Sequence, residues 1–243
     1  MSKSVVIYSG GMDSTVILHH ALKNYQEVYC LTYNYKQRHK LEIDKAISYV
    51  EHLHTKDTEH KLKQHIVVDL GFYANLASAS ALTNPNINVP KTKDVIGEAQ
   101  TTAYVPNRNT VMLSIAAGYA ESIEAQDIFY GAALADDTSG YWDCTKEYLE
   151  KYNNVLALNR KNTIQVKAPL IDKSKKDIIQ YGVELGANFG KTLTCYNGDE
   201  IACGTCPACS ARIKGFIDAG YVDPIPYAVD VPWNTYSCKT IIA

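Results

Sequence analysis

The amino-acid sequence predicts an α/β protein in which a parallel sheet carries helices on both faces, with a small cysteine-rich metal module appended. Three observations carry that prediction. Short apolar runs alternate with longer amphipathic ones through most of the chain, the signature of βαβ units. A Gly-Gly turn, Ser9-Gly10-Gly11-Met12-Asp13-Ser14, joins the first apolar run to the first amphipathic one. Four cysteines crowd into residues 195–209, where the alternation stops. A length of 243 residues suits one large domain with an appendage. The expected division is a main domain at residues 1–190, a module at 191–224 and an irregular tail at 225–243.

Taken in order, residues 5–8 are an apolar run that reads as a strand, and 14–24 read as the first helix. Residues 28–33 give a second strand, 41–53 a second helix and 66–68 a short third strand. Residues 71–106 resist assignment: they are small and polar, and Asn84-Pro85 and Val89-Pro90 interrupt any regular element. Loops of that length are uncommon unless they serve a function. Residues 109–123 return to helical spacing, with Val111, Met112, Ile115, Ala116 and Tyr119 on one side. Residues 127–130 follow as a strand, and the polar stretch 135–144 leaves its C-terminal end. A helix at 146–158, a strand at 164–166 and a helix at 175–185 complete the alternation. A short helix is expected near 211–219, and the proline-punctuated residues beyond 222 read as irregular.

Composition narrows the function classes. The chain is 46% hydrophobic and 21% charged, as soluble globular proteins are. Its formal net charge of −2, without a long basic block, argues against a grip on nucleic acid and suits a small, anionic substrate. The opening residues lack the apolar core of a signal peptide, and no apolar run approaches the ~18 residues of a membrane span, so a cytoplasmic protein without a membrane segment is expected. Seven cysteines in that compartment suit metal ligation better than disulfides.

In the Ser9–Ser14 loop, Gly10 and Gly11 leave room for main-chain N–H groups to close around an anion, and the helix that follows points its positive end at the same place. Ser9 and Ser14 add hydroxyl donors around Met12, and Asp13 is placed to hold Mg²⁺ against phosphates. No lysine follows the glycines, so the loop is not of the Walker kind. A capped Gly-Gly turn is the plain alternative, but the full SGGMDS after a strand resembles the PP-loop of ATP pyrophosphatases. That resemblance implies ATP cleaved between its α- and β-phosphates while a substrate oxygen is adenylated. Cys195, Cys203, Cys206 and Cys209, spaced C-x7-C-x2-C-x2-C, suit a closed tetrahedral structural Zn²⁺ site; an iron–sulfur cluster remains the alternative on spacing alone. Of the other thiols, Cys30 reads as a small core residue and Cys144 lies in a polar loop near the expected site.

Five separated segments resemble one family, the 7-cyano-7-deazaguanine synthases. They are the SGGMDS loop, Thr32 to His39 (TYNYKQRH), Tyr104 to Asn109 (YVPNRN), Ser139 to Cys144 (SGYWDC), and Thr194-Cys195-Tyr196-Asn197-Gly198 leading into the other three cysteines, Arg212 and Asp223-Pro224. The resemblance implies a PP-loop fold and an ATP-dependent conversion of 7-carboxy-7-deazaguanine and ammonia to the nitrile, in a homodimer. Its expected site residues follow the motifs. Arg38 and Arg108 are expected to clamp phosphate or carboxylate, as bidentate guanidinium contacts do. Gln37, His39, Asn109, Asp137 (or its neighbour Asp136), Tyr141 and Asp143 are expected around the heterocycle, whose N–H edge a carboxylate accepts well. Trp142 stands where the family commonly has Pro and Thr145 where many members have Arg. A variant that stops at the amide would carry the same activating residues. A tRNA thiolase would need a reactive cysteine pair and a basic face, and a nucleotide sensor would need no second ligand site.

Overall fold

In the computed structural model, which describes residues 2–38, 41–94, 100–133, 141–198 and 200–241, the expected parallel sheet is present. Five strands run in the order β3-β2-β1-β4-β5, with β1 (Lys3–Ile7) central. β2 (Glu27–Asn34) and β3 (Leu62–Asp69) lie on one side of it, and β4 (Asp127–Phe129) and β5 (Gln165–Lys167) on the other. Every pairing is parallel: Val5 sits level with Tyr29 and with Ile128, and Ile128 with Val166.

Parallel strands must be covered on both faces, and alternation along each strand supplies two apolar surfaces. Val6, Val28, Cys30 and Phe129 face one layer, and Val5, Leu31, Tyr33 and Ile128 face the other. The first layer is built by α1 (Met12–Asn24), α2 (Leu41–Lys56), α6 (Lys175–Glu184) and α7 (Pro207–Ala219), through Val16, Ile17, Tyr49, Ile178 and Phe216. The second is built by α4 (Arg108–Ser122), α5 (Lys146–Leu156), the one-turn α3 (Tyr73–Leu76) and the loop around it.

Three elements differ from the sequence expectation. β3 has eight residues instead of three, because it is an edge strand whose Lys63 and Gln64 are solvent-exposed, so only its apolar end is visible as a run. α7 starts at Pro207, a full turn early: the Cys206 thiol accepts from the Cys209 N–H as an N-cap, and Pro at the first position fits the helix. The tail beyond 222 is not wholly irregular. β6 (Tyr221–Val222) pairs in parallel with β7 (Lys239–Thr240), a 3₁₀ turn spans Trp233–Tyr236, and Trp233 and Ile241 pack against the core.

The long segment between β3 and α4 contains little regular structure but is pinned. The Tyr73 hydroxyl donates to the Pro106 carbonyl, and Leu82, Ala103 and Val105 are buried. Its path carries the chain from one edge of the sheet over to β4, so the loops after β1 and β4 part in opposite directions. Open α/β sheets bind ligands at such a switch point.

Candidate functional site

A cleft of about 500 Å³ opens at the C-terminal ends of β1, β2 and β4. That size is within the range of small-molecule sites. Its floor is the Ser9–Ser14 loop, Tyr8 and Thr32; its walls include Tyr35, Arg108, Asn109 and Asp143, the Tyr104 and Tyr141 rings, Tyr130, Lys175 and Tyr196. A second, shallower depression lies on the outer face of α7, lined by Ile213, Lys214, Ile217 and Tyr236, and shares none of these groups.

The loop takes its shape from its own sequence. Gly10 has φ +82°, and a Cβ there would sit 2.4 Å from the Glu42 carbonyl oxygen at the start of α2, so both angle and space require glycine. Gly11 is the N-cap of α1, and no side chain occupies the cap. The first turn therefore directs its N–H groups at the cleft floor, where an anion satisfies them. Ser9 and Ser14 hold each other, Oγ to Oγ at 3.1 Å, and the Ser9 hydroxyl accepts from the Gly11 N–H at 3.2 Å.

Asp13 faces a residue that the motifs do not contain. Lys175 Nζ lies 2.6 Å from Asp13 Oδ2, while Asp13 Oδ1 is buried and has no hydrogen-bond partner. Lys175 is the first residue of α6, held by the Ser174–Asp177 capping box. The sequence carries this signal only as a lysine just inside a capped helix that follows a strand. A carboxylate oxygen left bare beside an anion-binding helix end is chemically suited to a divalent cation bound with phosphate.

Arg108 and Asp143 make a second charged pair of walls. Asn107, at φ +56°, turns the chain into α4 and brings Arg108 and Asn109 to the cleft. Arg108 Nη1 donates to the Tyr35 hydroxyl at 3.1 Å, and its guanidinium lies over the Tyr35 ring at 5.8 Å. Burial works against its charge, but Tyr35 and Asp143 outweigh that and keep it protonated. Asp143 is only 3% exposed; burial pushes its carboxyl above the usual carboxylate range, with Arg108 pulling the other way. Asn109 Nδ2 donates to Cys144 Sγ at 3.5 Å. Burial, then the Asp143 charge, push the Cys144 thiol up to about 12, so it lines the cleft as a neutral group.

Other expected residues have different settings. Gln37 reaches the cleft, but its amide is engaged with backbone, accepting from Tyr35 N–H at 2.9 Å and donating to Tyr33 O at 3.1 Å. Arg38 does not line the cleft: its Nη2 donates to the carbonyls of Asn84, Pro85 and Ile87, bracing the long segment after β3. His39, Asp136 and Asp137 lie outside the described residues. Tyr141 lines the cleft and stacks on Tyr104 with centroids 5.9 Å apart.

The four cysteines converge, with all four Sγ atoms within 4.8 Å of one another and Cys203 and Cys209 3.9 Å apart. A tetrahedral ion with bonds of about 2.3 Å holds its sulfurs roughly 3.8 Å apart, so one small ion fits. An iron–sulfur cubane gives each thiolate its own iron and spreads them wider. Backbone N–H groups of Cys203, Thr205, Cys206 and Cys209 point at these sulfurs, as charged thiolates favour. The module is tied to the phosphate loop. Leu193 N–H donates to Gly10 O at 3.2 Å, and buried Arg212 forks onto Asp223 at 2.7 and 2.9 Å while donating to Thr192 and Thr194.

The family and sequence matches extend over most of the chain. The model of the family described as queuosine biosynthesis protein QueC matches residues 3–220. The 7-cyano-7-deazaguanine synthase of Caldicellulosiruptor bescii is 40% identical over 232 residues, covering 95% of this chain and 100% of that one. That of Acetivibrio thermocellus is 41% identical over 232 residues, covering 93% and 98%. Among solved structures, a 4-thiouridine synthetase–RNA complex with bound ATP overlays with a TM-score of 0.49 at 19% identity, covering 76% of this chain and 41% of that one.

Proposed function

The chain belongs to the QueC family of queuosine biosynthesis proteins, and from that membership we propose that it is an ATP-dependent synthase that converts 7-carboxy-7-deazaguanine and ammonia to 7-cyano-7-deazaguanine. The observation that carries the reading is the joint cleft: a phosphate-binding loop with Asp13 and Lys175 at one end, and Arg108 with Asp143 at the other.

The chemistry accounts for the residues. A carboxylate is a poor electrophile, so its oxygen first attacks the α-phosphorus of ATP, forming an acyl-adenylate and releasing pyrophosphate. The α1 N-terminus, the Ser9 and Ser14 hydroxyls and Lys175 receive the charge that develops on the phosphates, where preformed donors act best. Asp13, through its bare Oδ1, would hold Mg²⁺, which neutralises phosphate charge when bound. Ammonia displaces AMP to leave the amide and gives up a proton. A second ATP adenylates the amide oxygen, releasing a second pyrophosphate, and loss of that oxygen with AMP and of both protons from the nitrogen leaves the C≡N bond.

Arg108 is suited to the substrate carboxylate, and the Asp143 carboxylate to the N–H edge of the heterocycle, with Asn109 and Tyr141 beside them. Arg38 and Gln37 serve the site through the loops they brace. Zn²⁺ is the ion proposed for Cys195, Cys203, Cys206 and Cys209, in a structural role. Cys30, fully buried, and Cys144, held as a thiol, supply no reactive pair of the kind thiolation needs. Among the described residues no helix is long and apolar enough to cross a membrane. A homodimer in the cytoplasm is part of this reading.

The test is pyrophosphate release followed by mass spectrometry of the product. Release that requires both 7-carboxy-7-deazaguanine and ammonia, with a nitrile product, is expected. Turnover indifferent to the carboxylate would remove the synthase reading, and an accumulating amide would shorten it to one activation.

A further inference from the structure

Trp142 is 43% exposed and does not line the cleft, yet it adjoins Tyr141 and Asp143 in sequence and bonds to Tyr104, all of which do. It opens the 3₁₀ turn Trp142–Cys144, whose next residue, Asp143, points inward and is buried. Successive side chains of a 3₁₀ turn diverge by about a third of a circle, so the indole lies outside while the carboxylate enters. From outside, Trp142 Nε1 donates to the Tyr104 hydroxyl at 2.8 Å, joining positions far apart in sequence. Tyr104 accepts a second bond from the Asn107 N–H at 3.1 Å, in the turn that delivers Arg108 and Asn109. The ring of Tyr104 stacks on Tyr141 at 26° between planes, and Tyr141 is itself tied to Thr101 at 3.2 Å. Behind the indole, Tyr148 packs edge-on at 5.3 Å and fixes its tilt.

On the synthase reading given above, we propose that the Tyr104–Tyr141 pair is the platform on which the flat bicyclic substrate stacks, and that Trp142 is a positioning residue that sets the platform's angle to Asp143. Stacked rings at 5.9 Å leave no slot between them, so the heterocycle continues the stack on the face turned to the cleft. In that pose its N–H edge meets the Asp143 carboxylate one residue away from the indole that braces the platform. One hydrogen bond then fixes the relative position of stacking surface and edge acceptor. The phosphate loop is built from other elements, so ATP binding is independent of it.

The test uses Trp142→Phe, which keeps a ring against Tyr148 and loses the donor, Tyr104→Phe, which keeps the stack and loses the acceptor, and the double variant. Loss of one neutral hydrogen bond corresponds to roughly a three- to ten-fold rise in KM for 7-carboxy-7-deazaguanine. KM for ATP and the melting temperature are expected to stay at wild-type values, and the double variant to be no worse than the poorer single one. Because the chain has two tryptophans, a Trp233→Phe background isolates Trp142 emission, and saturable quenching by the carboxylate without ATP is expected. An unchanged KM in Trp142→Phe, or equal rises in both KM values, overturns the positioning role while leaving the synthase reading intact. Wild-type pyrophosphate release that ignores the carboxylate overturns that reading and this inference with it.

Discussion

Burial keeps the Asp143 carboxyl protonated beyond the ordinary carboxylate range, and Arg108 only partly reverses that. The folded state therefore binds this proton more tightly than the unfolded chain does. Its contribution to stability is fully present below the unfolded value near 3.9 and is lost as pH rises through the raised folded value. Asp143→Asn is accordingly expected to melt higher than wild type at neutral pH, with the gap closing toward pH 4, while carboxylate-dependent turnover falls; calorimetry across pH reads the first and pyrophosphate release the second. At the other end of the cleft, Lys175→Ala removes a cation from the phosphates and is expected to lower kcat by about 100-fold or more, as loss of one preorganised donor does. Lys175 also marks where single residues stop being legible. Asp13, Arg108, Asn109, Tyr141 and Asp143 stand in recognisable motifs and line the cleft. Lys175 stands in none, since its partner is Asp13, at the other end of the main domain's sequence. Arg38 fails the other way: a basic residue after a strand looks like an anion clamp, and only the fold of residues 84–87 shows where its donors go.

Elements were legible where burial was one-sided and caps were local. α1, α2, α4, α5 and α6 begin or end within a few residues of the expected positions because apolar spacing and polar ends coincide there. β3 reads short in the sequence because an edge strand with polar neighbours gives half a signal, and α7 reads a turn late because its cap is a cysteine that also reads as a metal ligand. The capping box of α6 joins helix stability to chemistry, since Ser174 precedes Lys175 directly. Ser174→Ala loses a cap worth about 1 kcal/mol and is expected to lower the melting temperature by about 2–4 °C. Because the freed first turn carries Lys175, KM for ATP is expected to rise as well.

For the whole molecule, two apolar layers hold the sheet and a third, small cluster around Leu193, Cys195, Ala202, Cys206 and Cys209 holds the module. A cluster that small needs its ion, and structural zinc supplies roughly 10–16 kcal/mol in comparable sites. Elemental analysis is expected to find one zinc per chain. Its removal by chelation is expected to abolish ATP turnover, with circular dichroism retaining the sheet signal and losing part of the helical signal, because α7 begins at Cys206 and packs Phe216 into one of the sheet's layers. The module's position against the phosphate loop was not legible at all: spacing identifies four ligands but not the neighbour they support.

The hydrogen bond from Leu193 to Gly10 has a consequence for the order in which the protein comes into being. A ribosome delivers residue 10 well before residue 193, at about 5–20 residues per second. The first strand and helix can form while the rest is still being made, but the brace on the glycine turn, and the thiols that anchor it, arrive only after all five strands of the sheet. Nascent chains would thus carry the sheet before they carry a finished nucleotide grip.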